Sequence, residues 1–270
     1  LRLPVIYTIH GWSFHDELPL LERQARRLVE KVITSCAKIN ITVSDANLQT
    51  GKTKLGSFRS VVVKNGVNLQ RFKAGNNYPD VKAAYGIPAQ HLVIGYIVRI
   101  TAQKDPLGMI RAFASLCHRY PNVTLLMVGE GDLKAAAMQL AASLNITDRI
   151  VFDNFRTDIP AVLNAVDIYC LPSLWEGFPI GILEAMAMGK AIVATDVDGT
   201  REAVRQEDTG LLVPAKDIGA LTAALERLIN DAALRTNLQA NAQRFVSEHF
   251  EAGKMTQKIE NIYLQLLSEQ

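Results

Sequence analysis

The stretch Pro172-Ser-Leu-Trp-Glu-Gly-Phe-Pro-Ile-Gly-Ile-Leu-Glu-Ala-Met-Ala-Met-Gly189 constrains the fold more than any other in the chain. The apolar runs 167–171 before it and 191–195 after it read as short buried strands. The stretch is therefore a strand–loop–helix–strand unit of a parallel sheet. Pro179 suits the first turn of a helix running to about Met188, and Gly189 suits its end. Almost all side chains of that helix are Ile, Leu, Ala or Met, which predicts burial all round. Glu184 is the exception, because a carboxylate on a buried helix is unfavourable unless it is hydrogen-bonded or paired. Glu176, eight residues earlier, falls in the loop at the carboxyl end of the preceding strand, where open α/β sheets bind ligands.

Two glutamates in one site first suggest the acid–base pair of a glycoside hydrolase. Their spacing argues against it. Eight residues of continuous helix span about 12 Å, more than the roughly 5–9.5 Å those carboxyl groups need. Two carboxylates gripping different parts of one extended ligand fit better. The free N–H groups of Gly177, Phe178 and Ile180, at a helix N-terminus, would attract that ligand's phosphates or hydroxyls. Taken alone, the pair also reads as a buried capping glutamate beside a surface one.

The segment Glu176-Gly177-Phe178-Pro179, followed after four residues by Glu184-Ala185-Met186-Ala187, resembles the Glu-x7-Glu signature of glycosyltransferase family 4. These are retaining transferases with two Rossmann-like lobes, the GT-B fold. The resemblance implies that Glu184 holds the ribose hydroxyls of a nucleotide-sugar donor and that Glu176 serves the donor sugar.

Other segments carry the same resemblance. Residues 92–98 read as a strand, 99–106 as a basic loop and 107–118 as a helix. Arg and Lys beside a helix N-terminus suit a diphosphate. The loop resembles the family's Gly-Arg-Leu-x3-Lys-Asp/Gly segment, implying that Arg99 and Lys104 hold the donor diphosphate, although Val98 stands where the family usually has glycine. Residues 3–9 read as a strand ending at His10, which the resemblance places against the donor sugar and diphosphate from across the cleft. His15 reads as a loop residue. The strand 123–128 leads into Gly129-Glu130-Gly131, but the third glycine of a dinucleotide fingerprint is absent; the resemblance puts Gly129 on the nucleotide side of the cleft. The loop 153–158 resembles the family's Phe-x-Gly-x3-Asp segment at the nucleobase, implying a donor contact at Phe155, with Asn154 where glycine is usual. Asp196-Val197-Asp198 matches the Asp-x-Asp metal signature of the other transferase architecture, GT-A. It reads here as a turn after a strand, with no metal site.

The remaining elements are a strand 39–44, a helix 45–55 capped by Ser44 or Asp45 and ended by Gly56, and a strand at 61–63 entering the Asn65-Gly66 turn. That turn resembles the start of the family's hinge, and the polar segment 73–80 suits an interlobe linker. A last strand is expected at 210–214, with amphipathic helices at 217–229, 232–247 and 250–267. Between residues 18 and 37, Leu21, Ala25, Leu28, Val29, Val32 and Cys36 recur at helical spacing opposite Arg23, Arg26, Arg27 and Lys31. The basic side reads as a solvated face; docking on an anionic membrane surface is the alternative.

With 270 residues, 49% hydrophobic and 21% charged, the chain has an ordinary globular composition. Its net charge of +2 gives no warrant for a nucleic-acid partner. Cys36, Cys117 and Cys170 have no metal-ligand spacing and read as reduced core thiols of a cytoplasmic protein. No apolar run approaches a membrane span. The chain lacks an initiator Met and opens on a strand, which reads as an N-terminal truncation and leaves targeting open.

The expected architecture is α/β of GT-B type, two Rossmann-like lobes with parallel sheets and an incomplete N-terminal lobe. Residues 1–76 would be the partial acceptor-side lobe, 77–249 the nucleotide-sugar lobe, and 250–270 a helix crossing back. The resemblance implies sugar transfer from a nucleotide-sugar donor to a sugar or lipid-linked acceptor, with retention, without a metal or other cofactor, and in polysaccharide or glycoconjugate synthesis. It would act in the cytoplasm or at the inner membrane face. A nucleotide-sugar isomerase on the same fold and a non-catalytic nucleotide-sugar-binding module are the alternatives.

Overall fold

A computed structural model describes residues 4–269, so Leu3 of the expected first strand lies outside the described residues. A first sheet has three parallel strands in the order β1 (Ile6–Ile9), β2 (Ile39–Thr42), β3 (Ser60–Val62), joined by helices α1 (Leu20–Cys36) and α2 (Asp45–Leu55). α2 has the bounds its caps predict. Ser44 Oγ accepts the Asn47 N–H at 3.0 Å, and Gly56 ends the helix at φ +94°, a left-handed conformation that glycine adopts without a Cβ penalty.

α1 corrects an expectation. The helix is present, but Leu21, Leu28, Val29 and Val32 are exposed, while Glu30 and Thr34 are buried. The inward face is polar and satisfied. Glu30 accepts the Tyr7 hydroxyl at 2.9 Å and the Ser13 N–H at 3.3 Å, and the Thr34 carbonyl accepts Asn40 Nδ2 at 3.0 Å. Nor is the opposite side a row of free cations, since Arg23 pairs with Asp16 and Arg26 with Glu22. Cys36, at the helix end, is exposed rather than a core thiol; Cys117 and Cys170 are buried.

Short helix α3 (Val81–Ala84) leads into a second, six-stranded parallel sheet. Its strands are β4 (Leu92–Ile97), β5 (Val123–Val128), β6 (Ile150–Asp153), β7 (Ile168–Leu171), β8 (Ala191–Thr195) and β9 (Leu211–Val213), in the spatial order β6-β5-β4-β7-β8-β9. Strands β5, β7 and β8 are buried along their whole length. They are continuous apolar runs because helices cover both faces of a parallel sheet. Helices α4 (Pro106–Cys117), α5 (Lys134–Ser143) and α6 (Ile159–Asn164) follow β4, β5 and β6. Helices α7 (Ile180–Ala187) and α8 (Thr200–Ala203) follow β7 and β8, and α9 (Ile218–Asn230) and α10 (Ala232–His249) follow β9. Phe113, Ile110 and Leu225 pack on one face of the sheet, and Leu183, Met186 and Val246 on the other.

Strand order reverses between β4 and β7, the switch point at which open α/β sheets form a ligand crevice outside the strands' carboxyl ends. The chain returns to the first sheet through α11 (Ala252–Ser268). Val67 N–H donates to the Phe250 carbonyl at 2.8 Å, and Ala252 N–H to the Val67 carbonyl at 3.0 Å. At the far end of α11, Glu269 lies 3.5 Å from Arg59. The Asn65-Gly66 turn is held against α11 closely enough that a Cβ on Gly66 would lie 2.7 Å from the Ala252 Cα.

Candidate active site

An open cleft of 1170 Å³ lies at the switch point, between the ends of β4 and β7 on one side and the ends of β1 and β2 on the other. The loops after β4 and β7 are knitted together. Gln103 Nε2 donates to the Trp175 carbonyl at 2.8 Å, and Leu174 N–H donates to the Gln103 carbonyl at 2.8 Å. This brings Lys104 onto Glu176, its ammonium donating to the Glu176 carboxylate, with their side chains 17% and 6% exposed. A carboxylate so buried needs this compensation. The residues expected to serve the diphosphate and the sugar therefore stand side by side. Arg99 is exposed on the same wall.

Glu184 lies one helical segment deeper. It is half-buried on the cleft wall, and among the described residues no hydrogen bond or ion pair satisfies it. Burial pushes its pKa up to about 7, against the weaker pull of the Arg71 guanidinium. The folded protein thus resists ionising Glu184. The cost is absent below the ordinary carboxylate range and grows as pH rises towards 7. Ligand hydroxyls donating to this carboxylate would offset that cost. Ile180, at the first turn of α7, is exposed rather than buried, so the helix presents one side to the cleft.

His10, at the end of β1, stands on the opposite wall, and its backbone touches the glutamate loop. A Cβ on Gly177 would lie 1.8 Å from the His10 carbonyl oxygen and 3.3 Å from Asn47 Nδ2. A Cβ on Gly199 would in turn lie 1.9 Å from the Gly177 carbonyl oxygen. Asn65 Nδ2 donates to the Phe178 carbonyl at 3.0 Å, tying the hinge turn to the same loop. His15 stacks on Trp175 with ring centroids 4.0 Å apart and an interplanar angle of 17°, spanning the two walls. Burial, aided by Arg26, holds its pKa below the ordinary histidine value.

Asp196 and Asp198 have partners of their own: Arg201 donates to Asp196 at 2.6 Å, and Asp198 accepts the Glu176 N–H at 3.4 Å. Burial raises the Asp198 pKa. Gly129 and Phe155 are not on the cleft wall. Phe155 is 73% exposed, and Gly129, at φ +147°, lets the chain pass the Val98 carbonyl, which a Cβ would meet at 1.9 Å. Sequence reasoning missed Asn47, Gln103, Trp175 and Glu202 as site or seam residues. Only Asn65 carried a signal, its Asn-Gly turn; its contact with Phe178 and those of Gln103, Trp175 and Glu202 all join segments far apart in the chain.

A family model described as glycosyl transferases group 1 matches residues 77–245. A UDP-Gal:alpha-D-GlcNAc-diphosphoundecaprenol alpha-1,3-galactosyltransferase of Escherichia coli is 26% identical over 269 residues, covering 97% of this chain and 69% of that protein. A D-inositol 3-phosphate glycosyltransferase of Salinispora arenicola is 35% identical, covering 90% of this chain and 59% of that protein. Among solved structures, Anabaena HepE in complex with UDP and glucose matches with a TM-score of 0.88 and 25% identity, covering 97% of this chain and 72% of that one.

Proposed function

We propose, from the premise that this chain belongs to the glycosyl transferases group 1 family, that it moves a sugar from a nucleotide-sugar donor to an acceptor hydroxyl with retention of configuration. Its two parallel sheets facing one cleft are of the GT-B type. The observation that carries the reading is the unpartnered Glu184 carboxyl beside the Lys104–Glu176 pair at the switch-point crevice. Glu184 would hold the ribose, and Arg99 and Lys104 would stabilise the departing nucleoside diphosphate. His10 and Glu176 would position the sugar against the acceptor. The acceptor is a sugar or lipid-linked hydroxyl, in polysaccharide or glycoconjugate synthesis in the cytoplasm or at the inner face of a membrane. Among the described residues no helix is long and apolar enough to cross one. A thermal-shift screen of nucleotide sugars tests the reading: stabilisation by at least one supports it, and stabilisation by none overturns it. Incubation of the stabilising donor without acceptor, followed by analysis of the sugar, separates transfer from isomerisation.

Two further outcomes are expected. Ribose hydroxyls bind the ionised form of Glu184, whose pKa is pushed up to about 7. UDP affinity should therefore rise between about pH 6 and pH 8 by linkage. Glu184→Gln should flatten that rise beyond what the diphosphate's own ionisation causes and weaken binding by about 1–3 kcal/mol. Calorimetry on both proteins across that range decides it. The second concerns metals. With Arg99 and Lys104 supplying the positive charge, turnover should persist in excess chelator. Activity that chelation abolishes and Mn²⁺ or Mg²⁺ restores would transfer that role to a metal and bring Asp196 and Asp198 back into consideration.

A further inference from the structure

The walls of the cleft come from segments far apart in the chain, and one carboxylate crosses between them. Glu202, on α8 beside the second sheet, accepts the Ala46 N–H at 2.8 Å and the Asp45 N–H at 3.1 Å. These are the first N–H groups of α2, which packs on the first sheet, and a helix N-terminus leaves such groups without intrahelical partners. The same carboxylate receives the Lys64 ammonium at 2.8 Å, from the segment that leads into the hinge turn. Its side chain is only 16% exposed. Burial works against the Lys64 charge, but Glu202 and Asp45 outweigh it and hold the pKa above the ordinary lysine value.

The consequences reach the cleft through short paths. Asn47, in the same first turn of α2, is 5% exposed on the cleft wall, and its Nδ2 has no partner among the described residues. On the other side, Glu202 stands on the short helix α8 that starts after Gly199, and Gly199 packs against Gly177. One carboxylate thus sets α2, the approach to the hinge and the glutamate loop in a common register.

We infer that Glu202 is a positioning residue, the latch that holds the wall bearing His10 and Asn47 against the wall bearing Glu176. It rests on the transfer reading only for its purpose: a displacement of about 1 Å in a reacting site costs about 100-fold in rate. The latch itself can be measured without any ligand. Cys36 is exposed on α1 and Ser115 on α4, while Cys117 and Cys170 are buried. Ser115→Cys therefore allows a spin-label pair that reports the distance between the two units. In the parent protein the pulsed-EPR distance distribution should be narrow. Glu202→Ala should broaden and lengthen it, and Lys64→Met should do so in part. Glu202→Gln, which keeps an acceptor for the α2 N–H groups, should restore most of the narrow distribution, whereas a merely structural role would show in melting temperature and not in this distance. UDP affinity, which depends on the second unit, should be unchanged in all three. A Glu202→Ala distribution that superimposes on the parent's overturns the latch. So does a loss of UDP affinity at unchanged distance, which would place Glu202 in the nucleotide site. A parent protein that binds neither UDP nor any other nucleoside diphosphate counts against the transfer reading and leaves the distance comparison to decide the latch.

Discussion

Lys104→Ala should reduce turnover by about 10²–10³-fold, the scale seen when one preorganised donor to a developing charge is removed. It should also destabilise the protein. The Lys104 ammonium is the compensation for a Glu176 carboxylate whose side chain is 6% exposed, and stripping one partner from such a pair costs about 3–5 kcal/mol. The two losses can be separated. Replacing both partners by apolar residues of similar volume, as Lys104→Met with Glu176→Met, removes the uncompensated charge and should recover most of the stability, since an apolar pair is often no worse than a buried ionic one. It should recover none of the turnover. Denaturant unfolding and a donor-consumption assay on the single and double variants give the answer. A single variant with parental stability and turnover would mean that the pair is incidental to the site.

Gly177→Ala is expected to be nearly as damaging, through packing alone. Its Cβ would meet the His10 carbonyl oxygen at 1.8 Å and the carbonyl carbon at 2.8 Å. Both are backbone atoms at the end of β1 and cannot swing aside as a flexible side chain would. Either the glutamate loop or the His10 wall must retreat by an ångström or more. Overpacking of this kind costs roughly 1–3 kcal/mol, and the misalignment should cost about 100-fold in transfer. Gly219→Ala is the control. It lies in α9, and its Cβ would meet only the Asp217 carboxylate at 3.4 Å, so stability should hold or rise by about 0.5–1 kcal/mol from helix propensity. Parental turnover in Gly177→Ala would show that the two walls need not touch.

Much of this site could be read in advance because its components are local. The strand–loop–helix–strand unit around Glu176 and Glu184 follows from apolar runs of strand length, a proline near the start of α7 and Gly189 after its end. Parallel strands with covering helices must then open their crevice at the carboxyl ends. That rule alone puts Glu176, Arg99 and Lys104 at one end of the second sheet. Where a loop's course matters more than its motif, local pattern does not fix where a residue stands. Gly129 and Phe155 follow their strands as expected, yet their loops keep them off the cleft wall.

The sequence by itself determined the α/β alternation, the extent of α2 between Ser44 and Gly56, and the isolation of Glu184 on an apolar helix. Periodicity, caps and breakers act over a few residues, so they are written where they act. Only the tertiary structure decided that α1 turns Glu30 and Thr34 inward and Leu21 and Leu28 out, because helical spacing marks two faces without saying which one meets the sheet. It alone decided that Lys104 neutralises Glu176 across 72 positions, and that Glu202 caps a helix whose first residues lie 156 and 157 positions earlier. Pairings over such separations are products of how the two sheets are brought together. The hydrogen-bonding and charge demands of each residue are local properties; the partner that meets them is chosen by the packing.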